Sequence, residues 1–157
     1  MLLKDKVAFI TGAASGLGRA TAENFIAAGA NVMIFDLNEE NAEKAASELG
    51  DNATFAAGDV ANADAVGAAI DKTLSQYGAL HININSAGIG AASRTLGRDG
   101  PMDLKMFEFV IRVNLVGTFN CLRLCANAMQ SNEPVTEDGE RGVIVNVASV
   151  AAFDGQI

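Results

Sequence analysis

The stretch "KVAFITGAASGLGRATAENFIAAG" limits what this chain can fold into more than any other. A short, near-continuous apolar run, "KVAFIT", ends in a glycine-rich turn that opens directly into a helical pattern. A run apolar at consecutive positions suits a parallel strand covered on both faces, and such a strand needs a helical crossover before its neighbour. The helix that follows offers Leu17, Ala20, Phe25 and Ala28 for one side and Gly29 to end it.

The same alternation continues along the chain. "NVMIFD" reads as a second strand. Asn38 offers an N-cap for "EENAEKAASELG", whose acidic first turn suits the helix dipole and which Gly50 closes. "ATFAAGDV" is a third strand, and Asn62 caps a helix through Tyr77 with Val66, Ile70, Leu74 and Tyr77 on one face. "LHININS" is a fourth strand running into "AGIG". A polar loop through Pro101 precedes a long helix from near Asp103 to Gln130; the charged loop "QSNEPVTEDGERG" and a fifth strand, "GVIVNVAS", follow. Strand and helix alternate at βαβ spacing and no fixed period recurs, so the expected class is α/β with a doubly wound parallel sheet of the Rossmann type. The expected strand order is 3-2-1-4-5, with a crevice where strands 1 and 4 part.

Half of the 157 residues are hydrophobic, enough for one compact domain over 1–157. The formal net charge of −8, with no basic cluster, makes nucleic acid and anionic membranes unexpected partners. The N-terminal apolar run is too short for a bilayer span and lacks a cleavage signature, so a cytoplasmic, reducing setting is the default expectation. Cys121 and Cys125, four apart on a predicted helix, have neither disulfide nor zinc spacing and read as small buried side chains; no metal site is expected.

"ITGAASGLGR" stands at a strand-to-helix handover, where backbone amides and the helix N-terminus can hold a pyrophosphate. The candidates there are Thr11, Gly12, Ser15, Gly16, Leu17 and Gly18, the glycines supplying the turn, the close backbone approach and tight helix packing. Asp36 ends the second strand twenty residues beyond Gly16, where a carboxylate can accept from ribose hydroxyls. A phosphate there would meet a like charge, at a cost of about several kcal/mol, and neither Ser15 nor Leu37 supplies a cation. NAD is therefore expected over NADP, with Arg19 read as solvent-facing. Taken one at a time, Asp36 also reads as a surface carboxylate, Asp59 as a helix-flanking cap and Asn85 as a strand-end amide.

Together with "GDV" at 58–60 and "NSAG" at 85–88, these residues resemble the short-chain dehydrogenase/reductase family, along the whole chain. The resemblance implies that the glycine turn binds the cofactor, that Asp59 and Val60 meet its adenine, and that Asn85, Ala87 and Gly88 support the sheet and pass close to the cofactor. Ser86 departs from the family's usual second asparagine. The resemblance also makes Ser149, in "NVAS", the catalytic serine whose hydroxyl holds the substrate oxygen during hydride transfer. It makes Asn114, in "VNLVG", the residue that interrupts its helix and holds a water in a proton relay; asparagine is a poor helix former in any case. Residue by residue, a serine ending a strand and a core or surface asparagine remain open.

The family's acid/base tyrosine and the lysine four residues after it are expected shortly beyond Ile157, because the only tyrosine, Tyr77, is followed four on by His81, itself read as structural. The dinucleotide-binding domain is thus expected to be C-terminally incomplete, its last strands missing, and this stretch by itself inactive. Within the family, "GTFN" at 117–120, "SNEPVTEDGERGVIVN" and "ASVAAFDGQ" resemble the group acting on 3-hydroxyacyl-CoA. That implies an NAD-dependent oxidoreductase with a small-molecule acyl-CoA substrate and Gln156 near the substrate oxygen. A polyanionic acyl-CoA would call for a local basic site in this acidic chain; Arg94 and Arg98, after the fourth strand, are the candidates, with plain solvated arginines as the alternative. The alternatives are another secondary-alcohol dehydrogenase or a non-catalytic nucleotide-binding module. In the long helix, Phe109, Val110, Val113 and Val116 are assigned to the sheet, and Phe107, Ile111, Leu115, Phe119 and Leu122 to a second apolar side. A helix apolar nearly all round is usually buried on more than one face, so a homo-oligomer through 103–130 is expected.

Overall fold

The computed structural model describes residues 1–91, 93–98 and 100–154. The chain runs β1 (Val7–Thr11), α1 (Gly16–Ala27), β2 (Asn31–Asp36), α2 (Glu39–Leu49), β3 (Ala53–Ala57), α3 (Ala63–Tyr77) and β4 (Ile82–Asn85). A short antiparallel pair, β5 (Leu96–Gly97) and β6 (Gly100–Pro101), interrupts what reads in sequence as a plain polar loop. Then come α4 (Leu104–Ile111), a π-helical segment (Arg112–Gly117), α5 (Thr118–Met129), β7 (Val143–Asn146) and a last short helix, α6 (Ala151–Asp154). The main sheet is parallel throughout, in the order β3-β2-β1-β4-β7. With β7 as the fifth long strand, this is the expected doubly wound order.

Successive side chains of β1 feed two separate cores, as a period of two requires. Ala8 and Ile10 pack with Val32, Ile34, Ala22 and Ala42 under α1 and α2; Phe9 packs with Met33, Phe35, Val66, Ile70 and Cys125 under α3 and α5. The predicted caps are in place. Asn38 Oδ1 accepts from the Asn41 N–H at 2.8 Å, and Asn62 Oδ1 accepts from Asp64 at 3.0 Å and Ala65 at 3.1 Å.

Three expectations need correction. The third and fifth strands are shorter than their apolar runs, because each stops with its partner: the last registered pairs are Asp36 with Ala57 and Asn85 with Asn146. Ser149 therefore lies three residues beyond β7, not at its end. On α1 the buried residues are Gly18 and Ala22, while Leu17 is 70% exposed and Ala20 and Ala28 are exposed. The helix is rotated by the contact of Gly18 with the Gly12 carbonyl, which leaves no room for a Cβ.

The third correction concerns the long helix. Phe109 and Val116, assigned to the sheet, are 51% and 49% exposed, and the core contacts come instead from Val113, Cys121, Cys125 and Met129. A π turn accommodates an extra residue, which shifts the α-helical phase by about 100° across Asn114 and moves the apolar face with it. Phe107, Ile111, Leu115 and Phe119 are exposed as the second apolar side, and Leu122 is half-buried. Among the described residues Leu104–Met129 is the one helical run long and apolar enough to cross a membrane, with a mean hydropathy of 1.3; its C-terminal half is packed into the core.

Candidate active site

Because all five long strands are parallel, their C-terminal ends share one edge, and a cavity of about 470 Å³ opens there. Its walls come from the turns after successive strands: Gly12, Ser15, Gly16 and Leu17 after β1; Asp36 and Leu37 at the end of β2; Gly58, Asp59 and Val60 after β3; Ser86, Ala87, Gly88 and Ile89 after β4; and Val147 after β7. Phe35, Phe109 and Val113 complete it. The structure thus brings together most of the residues that the sequence nominates for a nucleotide.

The glycine turn is built for close approach. Gly12 has φ of +62° and donates its N–H to the Phe35 carbonyl at 2.8 Å; a Cβ there would stand 2.8 Å from Ala87 Cα. Gly16 has φ of +54° and faces open space. Among the described residues no side chain caps the first turn of α1, unlike α2, α3 and α4, so its amides remain available to an anion.

Thr11, Gly18 and Asn85 stand behind the cavity lining. Thr11 is buried, and its Oγ1 accepts from the N–H groups of Ser86 at 3.1 Å and Ala87 at 3.0 Å, clamping the "NSAG" turn to β1. Asn85 is buried and donates through Nδ2 to Asn83 Oδ1 at 2.9 Å and to Asn146 Oδ1 at 2.8 Å. Asn83 in turn donates to the Phe9 carbonyl at 3.3 Å, so a ladder of asparagines ties β1, β4 and β7 together. Asn85 is a satisfied strand-end amide that ties β4 to β7.

Two carboxylates face the cavity. Asp36 Oδ2 accepts from the Ala14 N–H at 3.1 Å and Oδ1 from Asn38 at 3.2 Å, which orients the carboxylate toward the glycine turn while each oxygen keeps a lone pair. Among the described residues no cation lies within 4 Å of it. Arg19, expected to face solvent, instead pairs with Glu23 at 2.9 Å and Glu48 at 3.2 Å, tying α1 to α2. Asp59 accepts from the Ala61 N–H at 2.8 Å, a local turn bond ahead of α3, whose cap is Asn62, and from Arg112 Nη2 at 2.7 Å.

Asn114 lies inside the π segment and so does interrupt the α-helix. Its Oδ1 accepts from the Ile89 N–H at 2.9 Å and its Nδ2 donates to the Ile89 carbonyl at 2.8 Å. The side-chain amide is thus a two-point clamp on the cavity wall. Ser149 is exposed; its Oγ accepts from the Ala151 N–H at 3.2 Å at the start of α6, and Val147, two residues earlier, lines the cavity. Gln156 lies outside the described residues. Arg94 and Arg98 are exposed and do not line the cavity.

Burial pushes the Cys121 thiol up to about 12, with Asp59 adding to it, and pushes Cys125 higher still, so both are inert core thiols. His81 Nδ1 accepts from the Val7 N–H at 3.2 Å, and burial together with nearby Lys6 holds its pKa below the usual range, a structural histidine. Sequence reasoning missed Arg112 and, in the cavity lining, Phe35, Ile89, Phe109, Val113 and Val147; an arginine inside an apolar helix, two residues before an asparagine, is the one signal that marks the first.

Fold and site define a doubly wound α/β domain with a cavity at the switch point between β1 and β4. The chain belongs to the short chain dehydrogenase family, whose sequence model matches residues 6–157. It is 46% identical to the 3-hydroxyacyl-CoA dehydrogenase type-2 of Drosophila melanogaster, covering 99% of this chain and 62% of the relative. It is 45% identical to the human protein of the same name, covering 99% and 60%. The crystal structure of 3-hydroxyacyl-CoA dehydrogenase type-2 from Mycobacterium avium superposes with a TM-score of 0.91 at 39% identity, covering 99% of this chain and 61% of that one. A 3-ketoacyl-(acyl-carrier-protein) reductase from Brucella melitensis, complexed with NADH, superposes with a TM-score of 0.87 at 34% identity, covering 98% and 61%. The chain therefore spans about three fifths of the length of these relatives.

Proposed function

We propose that the full-length protein is an NAD-dependent oxidoreductase that passes a hydride between a secondary alcohol and its ketone, with 3-hydroxyacyl-CoA and 3-ketoacyl-CoA as the pair. Asp36 carries the cofactor choice: its carboxylate is fixed at the cavity rim, aimed at the glycine turn, with no cation beside it among the described residues. The names of the relatives support the substrate class, and the NADH complex of the Brucella reductase supports the cofactor class.

The residues present fit a dinucleotide. A cavity of about 470 Å³ is within the usual range for such ligands, its turn is open at Gly16, and the first turn of α1 is uncapped. Ser15, Gly16 and Leu17 would hold the pyrophosphate, with Gly18 packing α1 behind them, Asp36 and Leu37 the adenosine ribose, Asp59 and Val60 the adenine, and Ala87 and Gly88 the inner wall. When bound, the nicotinamide supplies or accepts the hydride.

Ser149 Oγ accepts one hydrogen bond within the chain, which leaves its own O–H to donate to the substrate oxygen as charge grows there. Asn114 acts on the wall through Ile89 and is a positioning residue. Tyr77, the only tyrosine in these 157 residues, has its Oη buried in α3 with no hydrogen-bond partner among the described residues, away from the cavity lining. Burial raises its pKa, so it is no acid/base group for this site. The 157 residues by themselves are expected to be inactive, since losing such a group costs roughly 10²- to 10⁴-fold. The exposed side of the long helix, with Phe107, Leu115 and Phe119, is assigned to a subunit contact in a homo-oligomer.

Purified full-length protein should reduce NAD⁺ with 3-hydroxybutyryl-CoA. Ser149→Ala should lower kcat by roughly 10²- to 10³-fold with little change in NADH affinity. Turnover with NADP⁺ alone, or a Ser149→Ala variant as fast as the wild type, would overturn the proposal.

A further inference from the structure

The ion pair at the β3 corner of the cavity plays no part in the chemistry above. Arg112 opens the π segment, and its Nη2 meets Asp59 Oδ2 at 2.7 Å while the other carboxylate oxygen accepts from Ala61 at 2.8 Å. Asp59 is thus held at both oxygens in the corner that forms one wall of the cavity. The same helical run grips that corner twice more. Gly117 packs so closely on Val60 that a Cβ would overlap the valine side chain, and Asn120 Nδ2 donates to the Val60 carbonyl at 2.8 Å. Two residues after Arg112, Asn114 holds Ile89 in the wall that follows β4. One π turn therefore holds two walls contributed by strands on opposite sides of β1.

We propose that Arg112 is a positioning residue for the adenine end of the nucleotide site: it fixes the rotamer of Asp59 and cancels its charge. The inference rests on the dinucleotide reading of the cavity. The pair is partly exposed, Arg112 by 58% and Asp59 by 33%, so it adds little to folding stability. Its effect is local. A carboxylate has about four lone-pair sites. Arg112 and Ala61 take one on each oxygen, and the carboxylate, which lines the cavity, keeps the others to accept from an exocyclic amino group. Without Arg112, Asp59 would stand near Asp36 as a second uncompensated carboxylate at the adenosine end of the cavity.

The test separates the two ends of the cofactor. In the full-length protein, Arg112→Met should weaken AMP and NADH on the order of tenfold. Binding of reduced nicotinamide mononucleotide should stay as in the wild type, and KM for NAD should rise by far more than kcat falls. Arg112→Lys, which keeps the charge without the fixed fork, should bind AMP at an intermediate level and serves if the methionine variant does not fold. In an Asp59→Asn background, Arg112→Met should have little further effect. Wild-type AMP affinity in both Arg112 variants, or a loss undiminished by Asp59→Asn, would overturn the inference alone. A wild-type protein that binds neither AMP nor NADH would overturn the dinucleotide reading beneath it.

Discussion

Replacing Gly12, Gly16 and Gly18 one at a time by alanine separates the three demands made on the turn. Gly12 sits at φ of +62°, where an L-residue loses about 1–2 kcal/mol. Its new Cβ would also stand 2.8 Å from Ala87 Cα and 3.0 Å from Ala87 N, backbone that Thr11 holds in place. That overpacking adds about 1–3 kcal/mol, for a total of about 2–5 kcal/mol. Gly16 has a similar φ of +54° but nothing within 4 Å of the Cβ, so only the conformational cost of about 1–2 kcal/mol applies. Its methyl group would instead intrude on the cavity that Gly16 lines. Gly18 has no positive φ; its penalty is the overlap with the Gly12 carbonyl. Urea unfolding followed by far-UV circular dichroism should rank Gly12→Ala below Gly16→Ala in midpoint at a common slope. NADH titration of the folded variants should show Gly16→Ala impaired beyond its small loss of stability. A Gly12→Ala protein with the wild-type midpoint, or equal losses in Gly12→Ala and Gly16→Ala, would refute the packing argument.

The two buried thiols should resist modification at pH 8, because Cys121 is pushed up to about 12 and Cys125 higher; a thiol reagent should label both only as fast as the protein unfolds, and rapid labelling of the native protein would contradict this. Leu115 and Phe119 are 62% and 61% exposed on the long helix, so Leu115→Glu with Phe119→Glu should shift the full-length protein to smaller species in light scattering. A wild-type protein that is already monomeric at micromolar concentration would contradict the assigned contact.

What was legible in the sequence was what local chemistry decides. β2 lies where "NVMIFD" places it, Asn38 and Asn62 cap the helices they precede, and the strand order follows from unbroken βαβ alternation. The site residues of the glycine turn and Asp36 meet at one cavity because parallel strands send their C-terminal ends to one edge. What depended on contact between distant segments was not legible. Arg112 and Asp59 are 53 residues apart, and nothing along the chain says that they pair. The face of α1 was misassigned because its rotation is set by a carbonyl against Gly18, and the face of the long helix because a π turn breaks the 3.6-residue period at Asn114. Asn114 itself stood out as a misfit in sequence, yet its partner, the backbone of Ile89, could not be read from composition or spacing.

The measurement that bears most directly on function is the paired titration of NADH and NADPH against the full-length protein, followed by enhancement of nicotinamide fluorescence, with Asp36→Ala alongside. A 2′-phosphate beside Asp36 would meet a fixed carboxylate with no cation within 4 Å among the described residues. NADH should therefore bind tighter on the order of a hundredfold, and Asp36→Ala should narrow the gap by weakening NADH and admitting NADPH. Equal or tighter binding of NADPH by the wild type, or a ratio unmoved by Asp36→Ala, would contradict the assignment of this cavity to NAD.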